Sequence, residues 1–223
     1  MKSIRIWLLF LIFLLPFQIM AGPYEEGSEY KRLASSQPVS VEGKTEVIEI
    51  FWYKCPHCFQ LEPYVEKWLE QKPDDIVFIR LPITLKKRPS DQYAKGELMA
   101  RAYYTAEALG ILDKIHVPLF DAIHEKKQKI NNESALQDFF IEQGVSKTDF
   151  ANTFRSFVVD AKLRNAIQII NSLGVRSVPT LIINGKFKTG SREAGGSENI
   201  MKVVEHLIKQ EQTQNAASKA PDR

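Results

Sequence analysis

Cysteine is nearly absent from this chain: 223 residues carry two, Cys55 and Cys58. That scarcity excludes a disulfide-stapled scaffold and a zinc site built on two cysteine pairs. Only His57, His116, His124 and His206 remain as nitrogen ligands, so no metal and no cofactor is expected. A bridge between Cys55 and Cys58 closes too short a loop to restrict the unfolded chain much. The pair is therefore better explained by chemistry than by stapling. Charge excess is also missing. Of 30 basic residues, Lys2 and Arg5 lie in the leader, and the rest nearly balance the 27 acidic ones. A nucleic-acid binder would show a strong basic excess. There is no internal repeat, no glycine-rich nucleotide loop, and no apolar run reaching the ~20 residues of a membrane span.

What is present begins with that leader. Lys2 and Arg5 precede an apolar stretch over residues 6–15, which Pro16 and Gln18 weaken before the small residues Ala21-Gly22. This is the layout of a secretory signal peptide, with cleavage expected after Ala21. An exported chain lives where disulfides form, which sharpens the question of why it keeps only two cysteines.

Residues 22–46 are polar and mixed, and read as a loosely ordered arm with a short edge strand around Val39 to Val41. The β-branched and aromatic run Val47 to Tyr53 predicts a buried strand. Cys55-Pro56 follows at once, with proline suited to the first position of a helix. Leu61, Val65, Trp68 and Leu69 recur at helical spacing, and Ile76 to Ile83 reads as a second strand. From about Pro89 to Gly174 the pattern is helical. Ser90 is a candidate cap for a helix running to Gly110, and Ser146 with Asp149 resembles a capping box. Further helices are expected over Glu133 to Gln143 and Asp160 to Leu173. Thr180 to Ile183 is again a strand. Asn184-Gly185 predicts a tight hairpin, Lys186 to Lys188 returns, and Ser197 opens a last helix. The tail from Gln210 reads as disordered.

The order is βαβ, a block of helices, then ββα. This is an α/β, thioredoxin-like fold with an inserted all-helical domain. The expected divisions are a signal peptide over 1–21, the fold's first part over 22–86, and the helical insertion over 87–165. The fold's second part follows over 166–209, then a disordered tail over 210–223.

Cys55 falls at a helix N-terminus, where free N–H groups and partial positive charge favour a thiolate, the species that attacks disulfides. His57 lies in the same first turn. Cys58, one turn on, is placed to resolve a mixed disulfide formed at Cys55. A stabilised thiolate favours the reduced pair and makes the disulfide an oxidant. Pro179 sits between the helix-ending Gly174 and the strand at Thr180. A cis bond there would turn the backbone of Val178 towards an extended substrate. Glu49, a carboxylate within an apolar strand, reads either as a solvent-facing acid or as a buried acid serving proton transfer. Arg80 is its candidate partner. His116 and His124 read as surface or internally satisfied histidines.

Several segments resemble the DsbA-type periplasmic disulfide oxidases. They are Tyr24-Glu25-Glu26-Gly27 and the active-site run Phe51 to Phe59 with its Pro56-His57 dipeptide. Asp113 to Phe120, Ser156 to Val159, Val175 to Thr180 and Ile183 to Lys186 resemble that family as well, and Glu49 matches a buried family glutamate. The resemblance implies a monomeric periplasmic enzyme that donates disulfides to newly exported cysteine-containing polypeptides. It also implies reoxidation by a quinone-linked membrane protein of the DsbB type. Thr180 and the polar tail depart from the family pattern. An isomerase or reductase of the same superfamily, or a non-redox binding module, is the competing reading.

Overall fold

The computed structural model describes residues 23–84 and 96–219. The leader with its cleavage point after Ala21, and the candidate cap Ser90, lie outside them. The elements are β1 (Lys31–Arg32), β2 (Thr45–Phe51), α1 (Pro56–Leu69), β3 (Ile76–Pro82), α2 (Glu97–Ala108), α3 (Leu112–His124) and α4 (Glu133–Glu142). They continue as α5 (Lys147–Phe154), α6 (Phe157–Ser172), β4 (Thr180–Ile183), β5 (Phe187–Gly190), α7 (Ser191–Ala194) and α8 (Ser197–Lys219). Five strands form one mixed sheet in the order β1-β5-β4-β2-β3, with β2 parallel to β3 and antiparallel to β4. This is the thioredoxin fold, and the helices α2 to α6 enter it between β3 and β4.

The two-residue period of β2 feeds two cores. Val47 packs with Leu61, Val65 and Trp68 of α1 and with Ile200, Val204 and Leu207 of α8. Ile48 and Ile50 point the other way, into a core shared with α2, α3 and α6. Glu49 therefore lies on the face of Val47, towards α1. Within the helical block, Asn132, Ser146 and Ser156 cap α4, α5 and α6 by accepting from the backbone N–H groups of Ala135, Asp149 and Val159. The hairpin turn holds Asn184 and Gly185 both at positive φ, 51° and 61°, as the sequence pair requires.

Four expectations change. The edge strand is Lys31–Arg32, paired with β5, and not Val39 to Val41. The Glu46 carboxylate takes both the N–H and the hydroxyl of Ser40, so that N–H has no strand to pair with. The arm is anchored rather than loose: Tyr30 and Leu33 are buried, and Gln37 N–H donates to Gly185 O. The tail is not disordered at Gln210, because α8 continues to Lys219. Fully buried Glu211 fixes it by accepting from Asn184 Nδ2 at 2.5 Å and Lys186 Nζ at 2.6 Å. The expected division between residues 165 and 166 falls inside α6, one continuous helix.

Candidate active site

The turn Trp52–Cys55, closed by Cys55 N–H to Trp52 O at 2.9 Å, carries the chain from β2 into α1. Cys55 is the N-cap residue, in extended conformation, and Pro56 opens the helix. This geometry sends the first free N–H groups of α1 towards the Cys55 sulfur. Neither cysteine is in a disulfide. Cys55 is lowered from an ordinary thiol value of 9.0 to about 6. The Cys58 thiol, donating to its sulfur, contributes most. The N–H groups of Cys58 and His57 and the His57 charge add to this, against a cost of burial. From the sequence, the helix terminus is the expected cause. Those N–H groups do contribute, but the partner thiol contributes more. Burial and the neighbouring Cys55 push Cys58 strongly up, and the charge of Glu49 adds to that. The pair is thus asymmetric, with one thiol ready to ionise and the other held protonated. His57 is exposed, with Nδ1 3.3 Å from Gln60 Oε1.

The loop before β4 completes the site from across the fold. The Val178–Pro179 peptide bond is cis, and Cys55 Sγ lies 3.6 Å from Val178 O. Thr180 donates its hydroxyl to Ser177 O at 2.8 Å and closes this loop on itself. Gly190 on β5 backs it. A Cβ there would come within 2.8 Å of Pro179 O, so the close approach requires glycine.

Glu49 is fully buried, with Oε2 accepting from Arg80 Nε at 3.2 Å. Its Oε1 has no hydrogen-bond partner among the described residues. Burial, then the nearby Glu62, raises it to about 7, against the pull of Arg80. Of its two sequence readings, the structure selects the buried one. The same guanidinium also donates at 2.6 Å to Glu62 and to Glu66. Burial raises Glu62 to about 8. Glu66 is half-exposed; its partial burial pushes it up, but the Arg80 charge together with hydrogen bonds from Glu62 and Arg80 brings it below the usual carboxylate range.

Sequence reasoning missed Glu62, Glu66, Tyr53 and the parts played by two histidines. Burial keeps the Tyr53 phenol protonated. Its oxygen is 2.7 Å from His116 Nδ1. Burial, helped by Arg80, lowers His116 to about 3, so the ring is neutral and Tyr53 donates to it. His116 Nε2 then faces Glu62 Oε1 at 3.1 Å, off the line of a good hydrogen bond. The only available signal was the helical spacing of His116, Phe120 and His124 on α3.

Residues 46–207 match the model of the DSBA-like thioredoxin domain. The chain is 38% identical over 199 residues to the thiol:disulfide interchange protein DsbA of Pseudomonas syringae pv. tomato, spanning 89% of this chain and 90% of that protein. It is 35% identical over 191 residues to the Pseudomonas aeruginosa protein of the same name, spanning 86% and 87%. The crystal structure of Pseudomonas aeruginosa DsbA superposes with a TM-score of 0.78 at 35% identity, covering 88% of this chain and 97% of that one. The DsbA oxidoreductase of Xylella fastidiosa gives 0.75 at 26% identity, covering 85% and 98%.

Proposed function

The chain belongs to the DSBA-like thioredoxin family and is a thiol–disulfide oxidoreductase, and on that premise we propose that it works as a dithiol oxidase through Cys55. The observation that carries this reading is the asymmetry of the pair: Cys55 ionises at about 6 while Cys58 is pushed far up. Reduction of the bridge releases a comfortable thiolate at Cys55, so the disulfide is the less favoured state and accepts electrons readily.

In the proposed cycle a substrate thiolate attacks Cys55 Sγ of the oxidised pair. The Cys55–Cys58 bond breaks, a mixed disulfide forms at Cys55, and Cys58 leaves with the electron pair. Cys58 is a poor anion in its buried site and takes up a proton. Glu49, buried and raised to about 7, holds a proton near neutral pH, and Cys58 feels its charge, which supports it as the proton donor. A second substrate thiolate then attacks the substrate sulfur of the mixed disulfide and expels the Cys55 thiolate. The substrate leaves oxidised and the pair reduced. Pro56 fixes the start of the helix, His57 adds charge, and Val178 with Pro179 offers backbone to the substrate segment beside Cys55.

Substrates are cysteine-containing polypeptides. The leader-like N-terminus supports export to the periplasm, and the family membership supports work as a monomer with reoxidation by a DsbB-type quinone-linked membrane protein. Two variants test the reading. Cys58→Ala, with Cys55 first loaded as a mixed disulfide with thionitrobenzoate, exchanges with a reduced one-cysteine substrate peptide: the peptide thiolate attacks Cys55 Sγ, the thionitrobenzoate thiolate leaves, and a Cys55–peptide disulfide accumulates and is detected by mass. Cys55→Ser neither forms it nor oxidises the peptide. Equal trapping at either position, or a redox equilibrium with glutathione as reducing as an ordinary reductase, overturns it.

A further inference from the structure

The two flanks of the Cys55–Cys58 motif are held by one side chain from outside the sheet. His124, the last residue of α3, has Nε2 2.7 Å from Tyr53 O. A carbonyl only accepts, so Nε2 carries the proton and donates. The same imidazole stacks on Phe59, with ring centroids 4.8 Å apart and planes 10° from parallel. Tyr53 is two residues before Cys55, and Phe59 directly follows Cys58. One turn earlier on α3, Phe120 packs between the Tyr53 and Phe59 rings at 4.8 and 6.3 Å. His116 holds the Tyr53 hydroxyl. Tyr53 is thus gripped at its carbonyl and at its phenol by two histidines of one helix.

The carbonyl that His124 holds belongs to the peptide inside the turn Trp52–Cys55. Its orientation sets where Cys55 stands relative to the N–H groups of His57 and Cys58. Hydrogen bonds to a thiolate weaken steeply with distance and angle, so a small rotation of that peptide changes the anion's stability. We propose that His124 is a positioning residue for thiol–disulfide exchange, holding the redox turn so that the α1 N–H groups and the Cys58 thiol converge on the Cys55 sulfur. The inserted helical block thereby tunes the reactivity of the thioredoxin portion. This rests on Cys55 being the exchanging thiol.

The experiment separates donor from ring. His124→Phe keeps a ring for Phe59 but has no N–H for Tyr53 O. His124→Gln keeps a donor but removes both the stack and the titratable ring. Thiolate absorbance of the reduced protein, followed across pH, reads the Cys55 midpoint, and equilibrium with glutathione reads the redox poise. The Phe variant is expected to raise the midpoint by about half a unit, the scale of one weakened donor set. Its equilibrium shifts about threefold towards the disulfide, since half a pKa unit is that factor. The Gln variant stays near wild type in both readings, although its melting temperature falls. A Phe variant with the wild-type midpoint and equilibrium overturns the proposal and leaves His124 a packing residue. A Gln variant shifted as far as Phe also overturns it, because ring or charge would then be responsible. If the wild type itself equilibrates as a reductant, the oxidase reading fails instead.

Discussion

Arg80 faces three carboxylates, more negative charge than one guanidinium can neutralise. The protein resolves this by protonation. Glu66, half-exposed, keeps its charge, while Glu49 and Glu62 hold protons to about 7 and about 8. Both buried groups lie above their ordinary value of 4.5, so the folded chain binds protons that the unfolded chain has released. The stability they contribute is complete below about pH 4.5 and is lost as pH rises through 7 and 8. Glu49→Gln removes one of these titrations. The variant should lose less stability than wild type on going from acid to mildly alkaline pH, by on the order of 2–3 kcal/mol. Urea unfolding of the reduced protein at a series of pH values measures it, and two parallel profiles would refute it. At this scale the sequence was half legible. Glu49 was conspicuous as the charge in an apolar strand, and Arg80 stands opposite it in the β2–β3 register. Glu62 and Glu66 were not, because acids four apart on an amphipathic helix look like a solvated face until Arg80 is seen beneath them.

Among the elements, those with self-contained signals were readable: the alternating β2, the Pro56 start of α1, the Ser146 cap and the Asn184-Gly185 turn. Besides the edge strand, the element misread was the end of α8. Its Gln, Asn, Ala and Ser composition carries no apolar stripe, and local pattern is all a sequence window offers. What orders it is long-range: an acid reaching a turn 27 positions away in the chain, and Gln212 donating to Asp75. Glu211 is wholly buried, bonds Asn184 and Lys186, and holds the hairpin whose Gly185 lies under the N-terminal arm. Glu211→Ala should therefore cost about 2 kcal/mol, the range for hydrogen bonds to a charged group, since Lys186 keeps partial access to water. Ending the chain at Lys209 should cost at least as much. Denaturant midpoints of the two variants decide. Unchanged midpoints would mean that the tail is dispensable and the burial of Glu211 incidental.

For the molecule as a whole, the sulfur chemistry and the fold's stability are one equilibrium seen from two sides. The groups that lower Cys55 are gathered by the first turn of α1, which supplies the Cys58 thiol, the N–H groups of Cys58 and His57, and the His57 charge. Unfolding disperses them, and the thiol returns to its ordinary value near 9. A group depressed on folding contributes stability that is full above its unfolded pKa and lost as pH falls through its folded one. The reduced protein should therefore gain stability from Cys55 as pH rises from about 6 towards 9. The oxidised protein has no thiolate and gains none from this source; Cys58, the other thiol it lacks, stays protonated in the fold and ionises in the unfolded chain only near 9, and the remaining titrating groups are common to both forms. Subtracting their unfolding free energies at each pH isolates the sulfur. The reduced form is expected to gain on the oxidised form steadily above pH 6, with the difference flattening below it. That rising difference is also the driving force for handing the disulfide to a substrate. A gap that stays constant across this range would mean that the fold does not favour the anion, and the chain would have no thermodynamic reason to give its disulfide away.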